Sequence, residues 1–283
     1  MKNIFLLIFC IMFINFFTIH AQDIEENPLL NSQNAKQLMI KLCNEMQENK
    51  FLYRQYKFDE KGNLLSDVRF NQEKPADSVY FYYKYNDAGQ LLEKINNGYI
   101  NKEGDIIDPA VSQYTYDANG KLLTQKLINN GQDTTKYTFY YDEKGRTQII
   151  LVDSIEARRY RFVYNTQGIL TQKVAETPIA KSTDWLEMGT YSYEYDDKKR
   201  MTKETYVSEE QEKKRSHFEY NILGKLAKKT VYVYADTKFT YSVEYLYDAK
   251  TQLPNGRILT WVPDKTKLAY QTLKYNYSYT NRK

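Results

Sequence analysis

Cysteine and histidine are scarce: the 283 residues hold two of each, and only Cys43 and His217 lie beyond residue 21. A single cysteine makes no intrachain disulfide, so a disulfide scaffold and a cysteine-rich zinc fold are both excluded. Burial and backbone pairing must hold the chain together. Charge of one sign is not in large excess either. The 40 basic and 36 acidic residues leave a net +4, which gives no argument for nucleic acid. No Gly-rich phosphate loop is present. No serine or cysteine nucleophile motif accompanies His217, which is expected as a surface histidine in a strand, on the face opposite Phe218 and Tyr220.

Long apolar runs are missing too, with one exception. From Ile4 to Phe17 the chain is almost unbroken apolar, Lys2 is the only charge before it, and Ala21 ends a small-residue cleavage site before Gln22. The run is shorter than the ~20 residues a span requires, so residues 1–21 read as a secretory signal peptide rather than an anchor. Cys10 lies inside the run and not at its end, which argues against a lipoprotein. The protein is expected to be exported, to the periplasm, the outer cell surface or the medium, with no transmembrane helix left after cleavage.

Residues 22–50 read as a leader followed by an amphipathic helix. Over 32–48, Ala35, Leu38, Met39, Leu42, Cys43 and Met46 recur on one helical face, with Ser32 or Asn34 as N-cap. Such a helix would cap the first edge of whatever follows, with Cys43 as a small core residue.

What the sequence has in abundance is tyrosine, 28 residues, arranged in a repeat. An aromatic ends an alternating run; then come Asp or Asn, two free residues, Gly, one free residue and an aliphatic. The aromatics are Phe58, Tyr85, Tyr116, Tyr141, Tyr164, Tyr195, Tyr220 and Tyr247, in steps of 27, 31, 25, 23, 31, 25 and 27. Asp59, Asn86, Asp117, Asp142, Asn165, Asp196, Asn221 and Asp248 follow them directly. Gly62, Gly89, Gly120, Gly145, Gly168 and Gly224 fill the glycine slot in six copies; Lys199 and Thr251 replace it in the other two. The spacing predicts β-hairpins with a G1-type bulge: Asp or Asn accepts backbone N–H bonds within the turn, and glycine reaches the left-handed region that rejoins the second strand. Leu64, Leu91, Leu122, Leu170, Met201 and Leu226 restart that strand, with Thr147 as the polar exception. First strands alternate with period two, as in Tyr191, Tyr193 and Tyr195 against Ser192 and Glu194.

Candidates for chemistry are few. The turn Asp and Asn residues do not supply the several oxygens a calcium site needs. Asp196-Asp197 and Glu209-Glu210 form no defined acid/base pair, and no cofactor is implied. Lys198-Lys199-Arg200 and Lys213-Lys214-Arg215 are expected as solvated turn tips and loops. The long connections 98–111 and 177–190 lie at the end of the sheet opposite the turns. They carry Trp185, Asp105 and Asp108, the candidate ligand contacts, with Trp185 in a loop.

The units YKYNDAGQLL (83–92), YTYDANGKLL (114–123) and FEYNILGKLA (218–227) resemble the YD repeat of Rhs and teneurin-type proteins, over most of residues 52–258. The resemblance implies curling hairpin sheets in a surface or secreted setting. Its motif is structural, so no catalytic residues transfer.

The expected architecture is all-β: an antiparallel repeat sheet of about eight hairpins over 51–283, a twisted or spiral single layer with a short N-terminal helical cap. A membrane barrel of sixteen or so strands is the architectural alternative. A propeller fits only if two repeats make a blade. The leading functional expectation is an exported, non-enzymatic module that binds protein or glycan at the cell surface or in the periplasm. A hydrolase using loop carboxylates and an outer-membrane β-barrel are the alternatives.

Overall fold

The computed structural model describes residues 40–47, 52–71, 78–100, 106–107, 109–129, 133–153, 157–234, 239–250, 253–261 and 271–281. The signal peptide, the leader, the first part of the expected helix, Asp105 and Asp108 lie outside the described residues.

The strands in chain order are β1 (Ile40–Gln47), β2 (Leu52–Phe58), β3 (Leu64–Arg69), β4 (Val79–Tyr85), β5 (Leu91–Asn96), β6 (Tyr99–Ile100), β7 (Ile106–Ile107), β8 (Ala110–Tyr116), β9 (Leu122–Asn129) and β10 (Asp133–Tyr141). They continue as β11 (Thr147–Asp153), β12 (Arg158–Tyr164), β13 (Leu170–Pro178), β14 (Trp185–Tyr195), β15 (Met201–Ser208), β16 (Gln211–Tyr220), β17 (Leu226–Val233), β18 (Phe239–Tyr247), β19 (Pro254–Trp261) and β20 (Gln271–Asn281). Apart from the small β6–β7 hairpin, each strand pairs antiparallel with its sequence neighbours. β1 pairs with both β2 and β20. Eighteen strands therefore form a closed barrel with no free edge.

Closure corrects three expectations. The sheet is not an open or spiral layer. The resemblance to YD-repeat proteins does not hold, because the hairpins stop curling and shut into one ring. Among the described residues no helix caps the sheet either: Ile40–Gln47, the second half of the expected helix, is a strand. The physical reason lies in the two edges. An unclosed sheet would leave two rows of N–H and C=O groups unpaired, and β1 satisfies both rows at once. Helical spacing of a few apolar residues is a local preference that this long-range pairing overrides.

The hairpins are built alike. In the β8–β9 turn the Asp117 N–H donates to the Lys121 carbonyl at 2.8 Å, the Lys121 N–H donates to Asp117 Oδ1 at 2.8 Å, and the Gly120 N–H donates to the Asp117 carbonyl at 3.0 Å. Gly120 sits at φ +83°, the left-handed region where a Cβ is strained. In the β14–β15 turn the same position is Lys199, at φ 60°. One residue past the restart of each second strand the register shifts: Tyr116 faces Leu122 and Thr115 faces Thr124, so Leu123 is the extra residue of a bulge.

Register sorts the side chains into two faces. Residues directly opposite one another share a face, so Cys43, Tyr56, Asp67 and Phe81 lie together. Tyr114, Gln125, Tyr137, Val152, Val231 and Tyr277 share that face and are buried. In a closed ring the buried face is the inner one. The outer face mixes Thr, Lys, Glu and Arg with apolar residues such as Tyr82, Val111, Ile149, Val163 and Val174.

Candidate functional site: the inner face of the barrel

The repeat aromatics build the inner wall at the turn end. Six of the repeat tyrosines donate their hydroxyl to the backbone carbonyl that restarts the second strand of the preceding hairpin: Tyr85 to Leu64 at 3.0 Å, Tyr116 to Leu91 at 2.8 Å, Tyr141 to Leu122 at 2.7 Å and Tyr164 to Thr147 at 2.7 Å. Tyr220 to Met201 at 2.8 Å and Tyr247 to Leu226 at 2.9 Å continue the ladder, and Tyr279 reaches the Pro254 carbonyl. The free residue after the glycine slot, filled by Lys199 in one turn, covers the next ring. Lys121 lies over Tyr141, Arg146 over Tyr164, Arg200 over Tyr220 and Lys225 over Tyr247, at 4.4–5.3 Å from the ring centroids. Tyrosine thus serves the sheet twice, as an apolar wall and as a hydroxyl strap between hairpins.

One step further in runs a mixed girdle. The inner residues of the first strands are aromatic: Tyr56, Tyr83, Tyr114, Phe139, Phe162, Tyr193, Phe218 and Tyr245. Directly opposite them on the second strands stand Asp67, Lys94, Gln125, Ile150, Lys173, Glu204, Lys229 and Arg257. Every one of these lies three residues past the restart of its strand. Without the bulge that offset would point outward; the extra residue turns it inward. Sequence alternation alone therefore misses these polar residues. Their signal was the constant offset of three.

Ion pairs knit the girdle where the ring closes. Arg54 Nε donates to Asp67 Oδ1 at 2.6 Å, and Arg257 Nε donates to Glu45 Oε1 at 2.7 Å. Cys43, Tyr56, Phe58 and Tyr277 pack beside them as one buried cluster. Away from this seam, on β14 to β16, Tyr191, Tyr193, Glu204, Tyr206 and Lys214 remain half-buried.

Of the expected contact residues only Trp185 is among the described residues, and it is not on this inner face. Trp185 opens β14, opposite Pro178, rather than sitting in a loop. Its register is that of the outer face, and the Arg159 guanidinium covers its ring at 4.4 Å. Arg159 and Arg161 both bind Glu176, at 2.5 and 3.2 Å. The connection 177–190 is thus mostly strand, with only 179–184 between β13 and β14. Lys213-Lys214-Arg215 also lies in a strand, β16, where Lys214 faces inward beside Glu204 at 3.8 Å. His217 faces outward against the edge of Tyr232, 5.8 Å between centroids. Other outer pairs are Lys84–Glu93 at 2.5 Å, Lys203–Glu194 at 2.7 Å and Lys228–Glu244 at 3.2 Å. Among the described residues, no group of three or more His, Cys, Asp or Glu is placed to hold a metal ion.

No family model and no curated protein matches the chain. Among solved structures, a porin-like protein from Bacteroides uniformis ATCC 8492 is 11% identical at a TM-score of 0.47, over 86% of this chain and 97% of that one. A porin-like protein from Bacteroides vulgatus ATCC 8482 is 11% identical at a TM-score of 0.28, over 85% and 98%. The TcdB2-TccC3-Cdc42 complex is 14% identical at 0.31, over 83% of this chain but 16% of the other. Scores this low carry no role over to this chain, and its barrel rests on its own strand pairing.

Proposed function

We propose that the chain is an exported β-barrel of the outer membrane, without enzymatic activity, whose tyrosine-lined interior is its working face. The observation that supports this most is the closed ring of eighteen antiparallel strands. A bilayer core accepts β-structure only when every backbone group is paired, which a closed ring achieves and an open sheet does not. Rings of about sixteen to eighteen strands also leave room for an aqueous interior.

A second reading has its own observation. The outer ion pairs of Lys84, Lys203 and Lys228, and the Arg159–Glu176–Arg161 cluster, favour the same barrel standing in water, as an exported module that binds protein or glycan. An outward Lys or Arg costs about 2–4 kcal/mol at a bilayer midplane and about 0–1 kcal/mol near its surface.

Expression of the full chain with its signal peptide, followed by membrane fractionation and planar-bilayer recording, separates the two. Recovery in the outer membrane, detergent-dependent solubility and a stepwise conductance are expected for the first reading. Recovery as a detergent-free protein that leaves bilayers silent would replace it with the second.

A further inference from the structure

The bulge that follows each turn carries one extra residue, and its identity changes around the ring. It is Leu65 in the β2–β3 hairpin, Leu92 in β4–β5 and Leu123 in β8–β9. Further round it is Gln148, Thr171 and Thr202. In β2–β3 the Asp59 N–H donates to the Asn63 carbonyl and the Phe70 N–H to the Tyr53 carbonyl, both at 2.9 Å, which puts the bulge opposite Lys57. Lys57, Lys84 and Thr115 belong to the outer face, so the three leucines opposite them point outward. They are 42, 41 and 40 % exposed. Thr171 and Thr202 show that the bulge needs no apolar side chain, so its backbone does not account for the leucines.

The leucines form an evenly spaced row. Leu65 and Leu123 each stand two strands from Leu92, about 10 Å to either side, and all three hold the same place in their hairpins. Tyr82 on β4 and Tyr140 on β10, 48 and 49 % exposed, border the row. Lys84 and Glu93 within it are paired with each other at 2.5 Å, so they enter a contact as a neutral unit. Such a row is its own complement. A two-fold axis parallel to the barrel axis sets Leu92 against Leu92 of a second copy, and Leu65 against Leu123. Lys84 then meets Thr115 and not another lysine. Two ladders of this sector are also short: four described residue pairs join β3 to β4 and four join β5 to β8, against seven for β13–β14 and for β1–β20.

We infer that the leucine row is a self-association surface, through which two copies pair side by side as parallel barrels. Each copy of a stable pair buries about 800 Å². The two half-exposed tyrosines offer about 100 Å² each. The leucines form the apolar centre between them, and Lys57, Lys84, Glu93, Thr115 and Thr124 supply the polar rim. A lipid contact would call for an apolar residue in every bulge, whereas Gln148, Thr171 and Thr202 end the row after three hairpins. Pairing also covers the sector with the short ladders, where added contact stabilises most. The inference goes beyond the outer-membrane reading, since parallel barrels side by side fit a bilayer and open water alike.

The test places single cysteines on the row of the full-length exported protein and oxidises whole cells before any fractionation. Cys43 is buried, so the parent is the uncross-linked control. Leu92→Cys is expected to give a disulfide-linked dimer, because that residue meets itself. Leu65→Cys and Leu123→Cys are each expected to stay monomeric alone, and to join one another through a bis-maleimide when co-expressed. Leu92→Thr puts into the bulge the residue that Thr171 and Thr202 already place there, so the fold should survive. It should weaken self-association of the purified protein at least about tenfold in sedimentation equilibrium, since each copy loses a buried leucine. The parent's thermal midpoint should rise with protein concentration, and that of Leu92→Thr should not. A monomeric Leu92→Cys protein, Leu65→Cys cross-linking as readily as Leu92→Cys, or a parent that sediments as a monomer would overturn the assignment and leave the leucines to lipid. Neither conductance nor recovery in a membrane is read, so failure here is distinct from failure of the outer-membrane reading.

Discussion

Arg257 on β19 donates to Glu45 on β1 at 2.7 Å, reaching past the intervening β20, although 212 residues separate the two in sequence. Glu45 is fully buried and the Arg257 side chain nearly so. The pair fastens the seam where the first described strand meets the last two. Removing one partner of a buried pair leaves a charge in a low-dielectric site, which costs about 3–5 kcal/mol. Arg257→Met is expected to cost that much in urea melts. Glu45→Leu combined with Arg257→Met should cost far less, because both charges leave together. A double variant as unstable as the single one would show that the charge pair is not what holds the seam.

The turn lacking glycine should be improvable. Lys199 sits at φ 60°, where a side chain is strained, and Lys199→Gly is expected to stabilise the barrel by about 1 kcal/mol. Gly120→Val, at φ +83°, should cost about 1–2 kcal/mol. The β15–β16 connection offers a parallel case. Glu209 and Glu210 take φ 53° and 60° in a two-residue hairpin, a geometry that favours Asn-Gly. Replacing them by Asn and Gly should raise the urea midpoint; a fall would mean that the two glutamates hold the turn through their side chains.

Acid should loosen the turns. The backbone N–H and guanidinium of Arg146 hold the Asp142 carboxyl below its ordinary pKa, and the guanidinium and N–H of Arg200 do the same for Asp196. A carboxyl with a depressed folded-state pKa stabilises the fold above its unfolded value, near pH 4, and that stability is lost as pH falls through the lower folded value. Thermal melts between pH 7 and pH 2 should therefore decline below about pH 4. Asp142→Asn and Asp196→Asn keep the turn geometry that Asn86, Asn165 and Asn221 already use, and should flatten that decline. An unchanged decline would place the acid sensitivity elsewhere.

The hydroxyl ladder can be read one rung at a time. Tyr220→Phe removes the donor to the Met201 carbonyl while keeping the ring, and should cost about 0.5–1.5 kcal/mol. Tyr116→Phe should behave alike, since its bond to the Leu91 carbonyl is the same 2.8 Å. Neutral melts for both would mean that water replaces the strap without loss.

How far the sequence could be read follows from where each piece of information lies. The hairpins were legible because each is a local solution: Asp117 and Gly120 fix a turn within a few residues, whatever the rest of the chain does. The closure was not, since nothing in Ile40–Gln47 announces that it pairs with residues near 280. Its Leu42, Cys43 and Met46 satisfy a helical period while its backbone serves two distant edges. The charged half of the girdle was hidden for a different reason. Lys173, Glu204 and Arg257 look outward by simple alternation, and a single bulge in each hairpin turns them inward. Trp185 looked like loop because the aromatic alternation is plain only near the turns, whereas β13 and β14 run on as far as Pro178 and Trp185.

The pairing of β1 with β20 also sets a timetable. A chain delivered N-terminus first offers β1 early and its second partner β20 after every other strand. Until then the growing sheet presents unpaired backbone on both flanks, an invitation to other unfinished copies. Closure of the ring thus waits for one late event, the docking of β20 on β1, rather than being completed hairpin by hairpin.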